Sequence, residues 1–365
     1  MSVPLTTENP VVPLELVATF SGAMPAGVAV SRAGRIFVNF PQWDEQAPAT
    51  VTELRNRHCE PYPDRRWNSP GTDDDPRGFV SAQSVVVDTA DRLWILDSGS
   101  PMFRPVVTGG PKLVCVDLTD DTVVETIVLG PEVAPPTAYL GDVRIDLRRG
   151  SGGLAFVTDA TDKGPNAIVV VDLVSGAAWR RLEGHPSTRA EGPRTFRPVV
   201  EGRPFVERPV DGPARPVAVG ADGLAISPDG SRLYYCPLAS RHLYSVSIDA
   251  LADPTLDDAS VAATVVDEGD KGSGAAGLET DHLGRVYLTA YEHDAVLRRR
   301  TDGEYETVAH DPRLLWPDAM SVSSDGYLYV TANQLHRQAR FQLGQDLRRK
   351  PYALFRLPID GRPAG

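Results

Sequence analysis

The sequence predicts an all-β fold: a six-bladed β-propeller closed by its own N-terminal strand. Three observations predict it. A hairpin pattern recurs six times, further strand-like runs fill the intervals, and a spare strand at the beginning matches one missing at the end. The hairpins are "GVAVSRAGRIFVNF" (Gly27 to Phe40), "SVVVDTADRLWILD" (Ser84 to Asp97), a degraded "DVRIDLRRGSGGLAFVTDA" (Asp142 to Ala160), and three that begin at Asp222, Gly277 and Asp318. Each is a short alternating run, a tight turn with Gly or Asp, and a second run rich in Val, Ile, Leu and aromatic residues. Period-two alternation around such turns is hairpin chemistry.

Two further runs follow several copies. They are "KLVCVDL" and "TVVETIVL" after the second, "HLYSVSI" and "VAATVVD" after the fourth, and "AVLRRR" and "EYETVAH" after the fifth. Four antiparallel strands repeated radially make a propeller. After the sixth copy only "YALFRLPI" (Tyr352 to Ile359) is visible, while "LELVATF" (Leu14 to Phe20) precedes the first. An N-terminal strand that completes the last blade removes two exposed sheet edges. Residues 1–365 are accordingly read as one propeller domain.

Composition narrows the function. The 365 residues are 41% hydrophobic and 24% charged, which is ordinary for a globular chain with a real core. A formal net charge of −12 argues against nucleic acid and against an anionic membrane surface as partners. No stretch approaches the roughly 18 apolar residues of a membrane span. The opening "MSVPLTTENPVVPLELVATF" lacks the basic and apolar regions of a secretion signal. Cys59, Cys115 and Cys236 are scattered, odd in number and without CxxC spacing, so they read as reduced thiols of a cytoplasmic protein.

Blade geometry points to a site. Residues just before each first strand and just after each second strand share one face around the central channel. The first group holds Gln83, Asp142, Asp222 and Asp318, with Ala26 and Ala276; the second holds Asp97, Asp159, Tyr291, Glu292, His293 and Asn333. A small-molecule pocket is natural there. Carboxylates crowded into a narrow mouth repel unless one is protonated or a cation sits among them. One divalent cation such as Ca²⁺ would satisfy them, with Asp222 and Asp142 as the expected ligands. Asp222 or Asp318 is the candidate general base, with His293 or Tyr291 returning the proton. Gln83, Tyr291, Trp316 and Asn333 are candidate ligand-binding residues. The plainer reading, an Asp that only forms a turn, stands beside each.

Two long connections bear on the same face. Gly184 to Gly220, dense in Pro, Gly and Arg, reads as a lid whose Arg194, Arg197 and Arg203 either meet an anionic substrate or, the plainer reading, stand solvated on the loop. Arg55 to Gln83 reads as the opposite wall. The seven histidines have no HxH or HExxH spacing, which argues against a histidine-built zinc site. Ser98 lacks a GxSxG elbow and reads as a turn serine.

In order along the chain, "PYP", "SAQSVVVDTADRLWILDSG", "DGLAISPDGSRLYYCPLASRHLYSV", "GAAGLETDHLGRVYLT" and "LLWPDAMSVSSDGYLYVTAN" resemble the yellow and major royal jelly protein family. The resemblance spans about Pro61 to Asn333. It implies a six-bladed propeller, similar in fold to the gluconolactonase and senescence-marker group, with a ligand site at the channel mouth. Insect members are secreted and associated with dopachrome conversion or with binding small aromatic amines; this chain departs from them in lacking a secretion signal and paired cysteines. The lactonase relatives imply one divalent cation, for which Asp222 matches a ligand position. Gln83 and Asp142 differ in residue type from the pattern there, and Ala26 stands where a Glu is expected. Three functions follow. The first is an intracellular isomerase or tautomerase acting on a small cyclic or aromatic metabolite. The second is a metal-assisted lactonase, and the third a non-catalytic small-molecule binder.

Overall fold

The six predicted hairpins are the two innermost strands of six four-stranded antiparallel sheets in the computed structural model, which describes residues 11–44, 47–69 and 77–364. The first strands are Val28–Val30, Ala82–Val87, Leu140–Asp146, Ala221–Ile226, Ala275–Thr280 and Pro317–Val322. Each packs against the first strands of both neighbouring blades, so they form a closed ring about the channel. Apolar second and third strands fill the space between blades. Trp94, Leu113 and Cys115 of the second blade, for example, meet Val143, Val157 and Val169 of the third.

The ring closes as the sequence predicts. Glu15–Phe20 is the outermost strand of the last blade and pairs antiparallel with Tyr352–Pro358, from Glu15 opposite Arg356 to Phe20 opposite Tyr352. Arg356 adds an ion pair to Glu15 at 2.8 Å. One expected strand is shifted: "VAATVVD" begins inside a short helix, Asp258–Ala262, and the fourth strand of that blade is Val266–Asp270. The Asp257 side chain caps that helix by accepting from the Ser260 amide at 2.8 Å, a local signal the apolar alternation concealed. The three cysteines are free; Cys115 and Cys236 are buried and Cys59 is exposed.

The first strands share a second feature that places the site. Five of the six carry a register shift near their start: between Ala82 and Ser84, Leu140 and Val143, Ala221 and Gly223, Ala275 and Leu278, and Pro317 and Met320. A bulge inserts an extra residue and re-aims its side chain. The residues so inserted include Gln83, Asp142, Asp222, Ala276 and Asp318.

Second strands tie these bulges together. Thr158 Oγ1 accepts from the Asp142 amide (2.9 Å) and donates to the Asp222 carbonyl (2.9 Å). Thr289 Oγ1 accepts from the Gly277 amide (2.8 Å) and donates to the Asp318 carbonyl (3.0 Å). Thr331 Oγ1 accepts from the Ala319 amide (3.1 Å) and donates to the Ala26 carbonyl (2.7 Å). Asn39 donates to the Ala82 carbonyl at 2.9 Å, and the Cys236 thiol makes a long contact of 3.8 Å with the Ala275 carbonyl. Packing at this radius is tight. A Cβ on Gly277 would sit 2.3 Å from the Asp318 carbonyl oxygen, and one on Gly223 would sit 2.9 Å from that of Ala276.

Removing residues 1–20 should free the Tyr352–Pro358 ladder as a sheet edge. The loss of a strand's pairing and burial is a large fraction of a domain's roughly 5–15 kcal/mol. A lowered Tm and concentration-dependent aggregation are expected in calorimetry and gel filtration; an unchanged Tm and elution volume would contradict the closure.

Candidate functional site

At the bulged end of the channel lies a cavity of ≈ 130 Å³. Its floor carries three carboxyl groups, from Asp142, Asp222 and Asp318, with Gln83 beside them. Its walls are aromatic: Trp43, Phe103, Tyr139, Phe205, Trp316 and Phe341. The predicted face is therefore real, and Asp222, Asp318, Asp142, Gln83 and Trp316 meet on it.

The three carboxyls differ in their surroundings. Asp142 is saturated. One oxygen accepts from Ser84 Oγ, the Val143 amide and Arg144, each at 2.8 Å, and the other accepts from the Leu224 amide at 3.1 Å. Arg144 reaches across the axis to the Leu278 carbonyl at 2.6 Å, so the Asp142–Arg144 pair plugs the channel beneath the cavity. Nothing among the described residues donates a hydrogen bond to the Asp222 carboxyl. Burial, with Asp318 and Asp142 nearby, raises it well above the usual carboxylate range. Asp318 accepts from Asn333 Nδ2 at 2.7 Å, which favours its charged form, but burial outweighs that bond and pushes it up to about 7. The same Asn333 amide donates to the Pro25 carbonyl at 2.9 Å, bracing the last blade against the first.

The walls are built from connections. Tyr139 donates to Gln83 at 2.6 Å, accepts from Trp43 Nε1 at 2.5 Å and stacks on Phe103 with centroids 5.1 Å apart. Its own hydroxyl is raised by burial. Trp316 stacks on Tyr291 at 4.3 Å and 11°, in a left-handed backbone conformation (φ 57°) that is rare for a bulky residue. Tyr291 lies behind Trp316 and donates to the Leu238 carbonyl at 2.7 Å, so it supports the wall without lining it.

The long insertion covers this mouth, as its position predicts. Its Phe205, Val217 and Val219 line the cavity. Glu201 clasps His336 at 2.7 Å and also binds Arg337. Arg208 donates to the Phe341 carbonyl at 3.1 Å, and Phe205 packs on Phe341 at 4.6 Å.

Several expectations are corrected. His293 is exposed in the turn between second and third strands, with its ring near the Gly272 carbonyl at 3.1 Å, and is not among the lining residues. Arg194 and Arg197 are exposed on the outside of the insertion, where Arg197 folds back onto the Pro193 carbonyl at 2.9 Å. Of the segment from Arg55 to Gln83 only Gln83 itself reaches the cavity among the described residues, and 70–76 lie outside them; His58–Pro61 is the fourth strand of the first blade. Asp97 and Asp159 are structural. Asp97 gathers the amides of Val80, Ser81 and Gly99 and pairs with buried Lys112 at 3.2 Å; Asp159 holds the Tyr139 amide and Arg180, both at 3.0 Å.

Of the two expected calcium ligands, Asp222 keeps its carboxyl oxygens free of donors among the described residues, but its expected neighbours are engaged elsewhere. Asp142 spends its lone pairs on four donors, Gln83 Oε1 is taken by Tyr139, and Ala26 offers no oxygen on its side chain. Among the described residues no group of three or more His, Cys, Asp or Glu is placed to hold a metal ion.

The family model described as Major royal jelly protein matches residues 80–356. The chain belongs to that family. It is 32% identical over 200 residues to major royal jelly protein 7 of Apis mellifera, covering 52% of this chain and 40% of that protein. It is 28% identical over 254 residues to protein yellow of Drosophila erecta, covering 64% and 42%. The chain thus matches less than half the length of these relatives. Among solved structures, regucalcin from Agrobacterium tumefaciens, described as a calcium-binding protein, aligns with a TM-score of 0.57 at 14% identity over 95% of both chains. A gluconolactonase from Xanthomonas campestris aligns at 0.56 and 13%, over 98% of this chain and 97% of the other. At these identities the likeness is one of fold.

A raised carboxyl stabilises the folded state only while protonated, so the contribution of Asp318 is present at pH 4 and lost as pH rises through about 7. Asp318→Asn keeps an oxygen to accept from Asn333 and removes the buried charge. Its Tm should exceed that of the parent most at pH 8, by a margin that shrinks as pH falls below about 7 and closes near pH 4. A difference independent of pH would contradict this assignment.

Proposed function

We propose that the cavity binds a small cyclic or aromatic metabolite and shifts a proton between two of its atoms, an isomerase or tautomerase reaction. The observation that carries this reading is the pair Asp222 and Asp318: two carboxyls in one cavity, both raised by burial, of which Asp318 alone accepts a hydrogen bond, from Asn333, among the described residues. At neutral pH Asp318 is partly ionised and can take a proton, while Asp222 retains one to give. One C–H or O–H bond of the substrate breaks to Asp318 as a new bond to hydrogen forms from Asp222. The substrate changes only by isomerisation, and proton exchange between the two carboxyls through water restores the pair. The aromatic walls supply the binding of a flat ring, and the clasped insertion keeps out bulk water. Asn333, by donating to Asp318, holds the base in register and keeps its pKa within reach of neutrality.

The test is deuterium incorporation from D₂O into a panel of cyclic ketones, enol lactones and quinoid ring compounds, read by mass spectrometry on the full chain. Exchange at one position should rise with pH through about 7. Asp222→Asn and Asp318→Asn should each slow it by about 10²-fold or more, the usual weight of a general acid or base. Full exchange rates in both variants, or no exchange with any compound, would count against the reading.

A further inference from the structure

The rim of the cavity is charged oppositely to what its floor suggests. Arg104, Lys163 and Arg340 line it, against the single acid Asp162. Arg104 and Lys163 are exposed, and among the described residues no ion pair holds either side chain. The floor carries less negative charge than three carboxyls imply, because Asp142 is matched by Arg144 at 2.8 Å and burial raises both Asp222 and Asp318.

Arg340 is the most organised of the three cations. Its guanidinium carbon lies 4.7 Å from the Phe103 ring centre and 4.6 Å from that of Phe341, so two aromatic walls of the cavity pack against it. A guanidinium held that way has already lost its rotamer freedom, and its Nη1 carries no hydrogen bond or ion pair among the described residues. Its ion pair with Glu207 is long, at 3.3 Å, and Glu207 is shared with Arg215 at 3.4 Å. Its Nε is buried without a hydrogen-bond partner. A cation packed on two rings at the mouth of an aromatic cavity matches a ring compound that carries a carboxylate or similar anion.

We propose that Arg340 is the specificity-determining residue of this site and that the substrate is a ring compound bearing an anionic group. The anion meets Arg340 at the rim while the ring lies between Trp316, Phe205 and Tyr139, with its reacting atoms toward Asp222 and Asp318. This rests on the function proposed above, for which it supplies the substrate class and orientation. Arg194 and Arg197 were the arginines expected in this role; Arg340 takes it from the connection after the second strand of the last blade.

The experiment is calorimetric titration of the full chain with three probes of similar shape and different charge: indole-3-acetate, indole-3-ethanol and tryptamine. The acetate should bind at least about tenfold tighter than the neutral alcohol, and the amine weakest. In Arg340→Met, which keeps an unbranched stem between the two rings, the preference for the acetate should vanish while affinity for the alcohol persists. The persisting alcohol affinity also shows that the variant is folded, and Arg340→Gln serves as the second variant. Equal or tighter binding of the alcohol or amine by the parent, or an acetate preference that survives in both variants, would overturn the assignment. Failure of all three probes to bind would instead overturn the aromatic site beneath both proposals.

Discussion

Six first strands converge on one axis, and their polar backbone groups must be satisfied there across blade boundaries. This constraint shapes the rest of the molecule. A buried amide or carbonyl left unpaired costs about 1–3 kcal/mol, and bulges create such groups. Thr158, Thr289 and Thr331 meet the cost by accepting from a bulged amide of their own blade and donating to a carbonyl of the next. Asn39 does the same donating work between the first and second blades, and Ser84 reaches from the second to the Asp142 side chain of the third. The ring that closes the propeller is therefore the ring that aims Asp142, Asp222 and Asp318 at the cavity.

Aiming acids at one another under an aromatic roof has an electrostatic consequence. Only one of the three carboxyls receives a full set of donors, and it is the one that also carries an arginine. For the other two, burial favours the protonated form and raises both above the usual carboxylate range. Backbone satisfaction, channel plugging and proton chemistry are thus one arrangement. A substitution at Thr158 or Arg144 would disturb all three, although neither residue has a place in the proton transfer itself.

Much of this was legible in the chain. The hairpins betray themselves through turn chemistry and alternation, and the spare N-terminal strand predicts how the ring closes. The positions leading first strands locate Gln83, Asp222 and Asp318 on the correct face because a strand has a fixed direction. What that rule does not supply is distance from the axis, which is why Asp97, Asp159 and His293 share the face yet not the cavity. Arg144 was within reach of the alternation, two residues after Asp142 on the same side of the strand, but a charged residue in a strand reads as solvent-facing. Phe103, Arg340 and Phe341 sit on irregular connections, one entered through Pro101–Phe103 and the other running through Ala339–Phe341. Such segments carry no period, and only tertiary packing brings them over the mouth.

The central claim is that a carboxyl group in this ring stays protonated at neutral pH, and infrared difference spectroscopy reads it directly. The C=O stretch of a protonated carboxylic acid should be present in the parent protein at pH 7 and absent from Asp222→Asn. A second such band should titrate away near pH 7 and be absent from Asp318→Asn. A spectrum at pH 7 showing only ionised carboxylates, the same in parent and variants, would contradict the account.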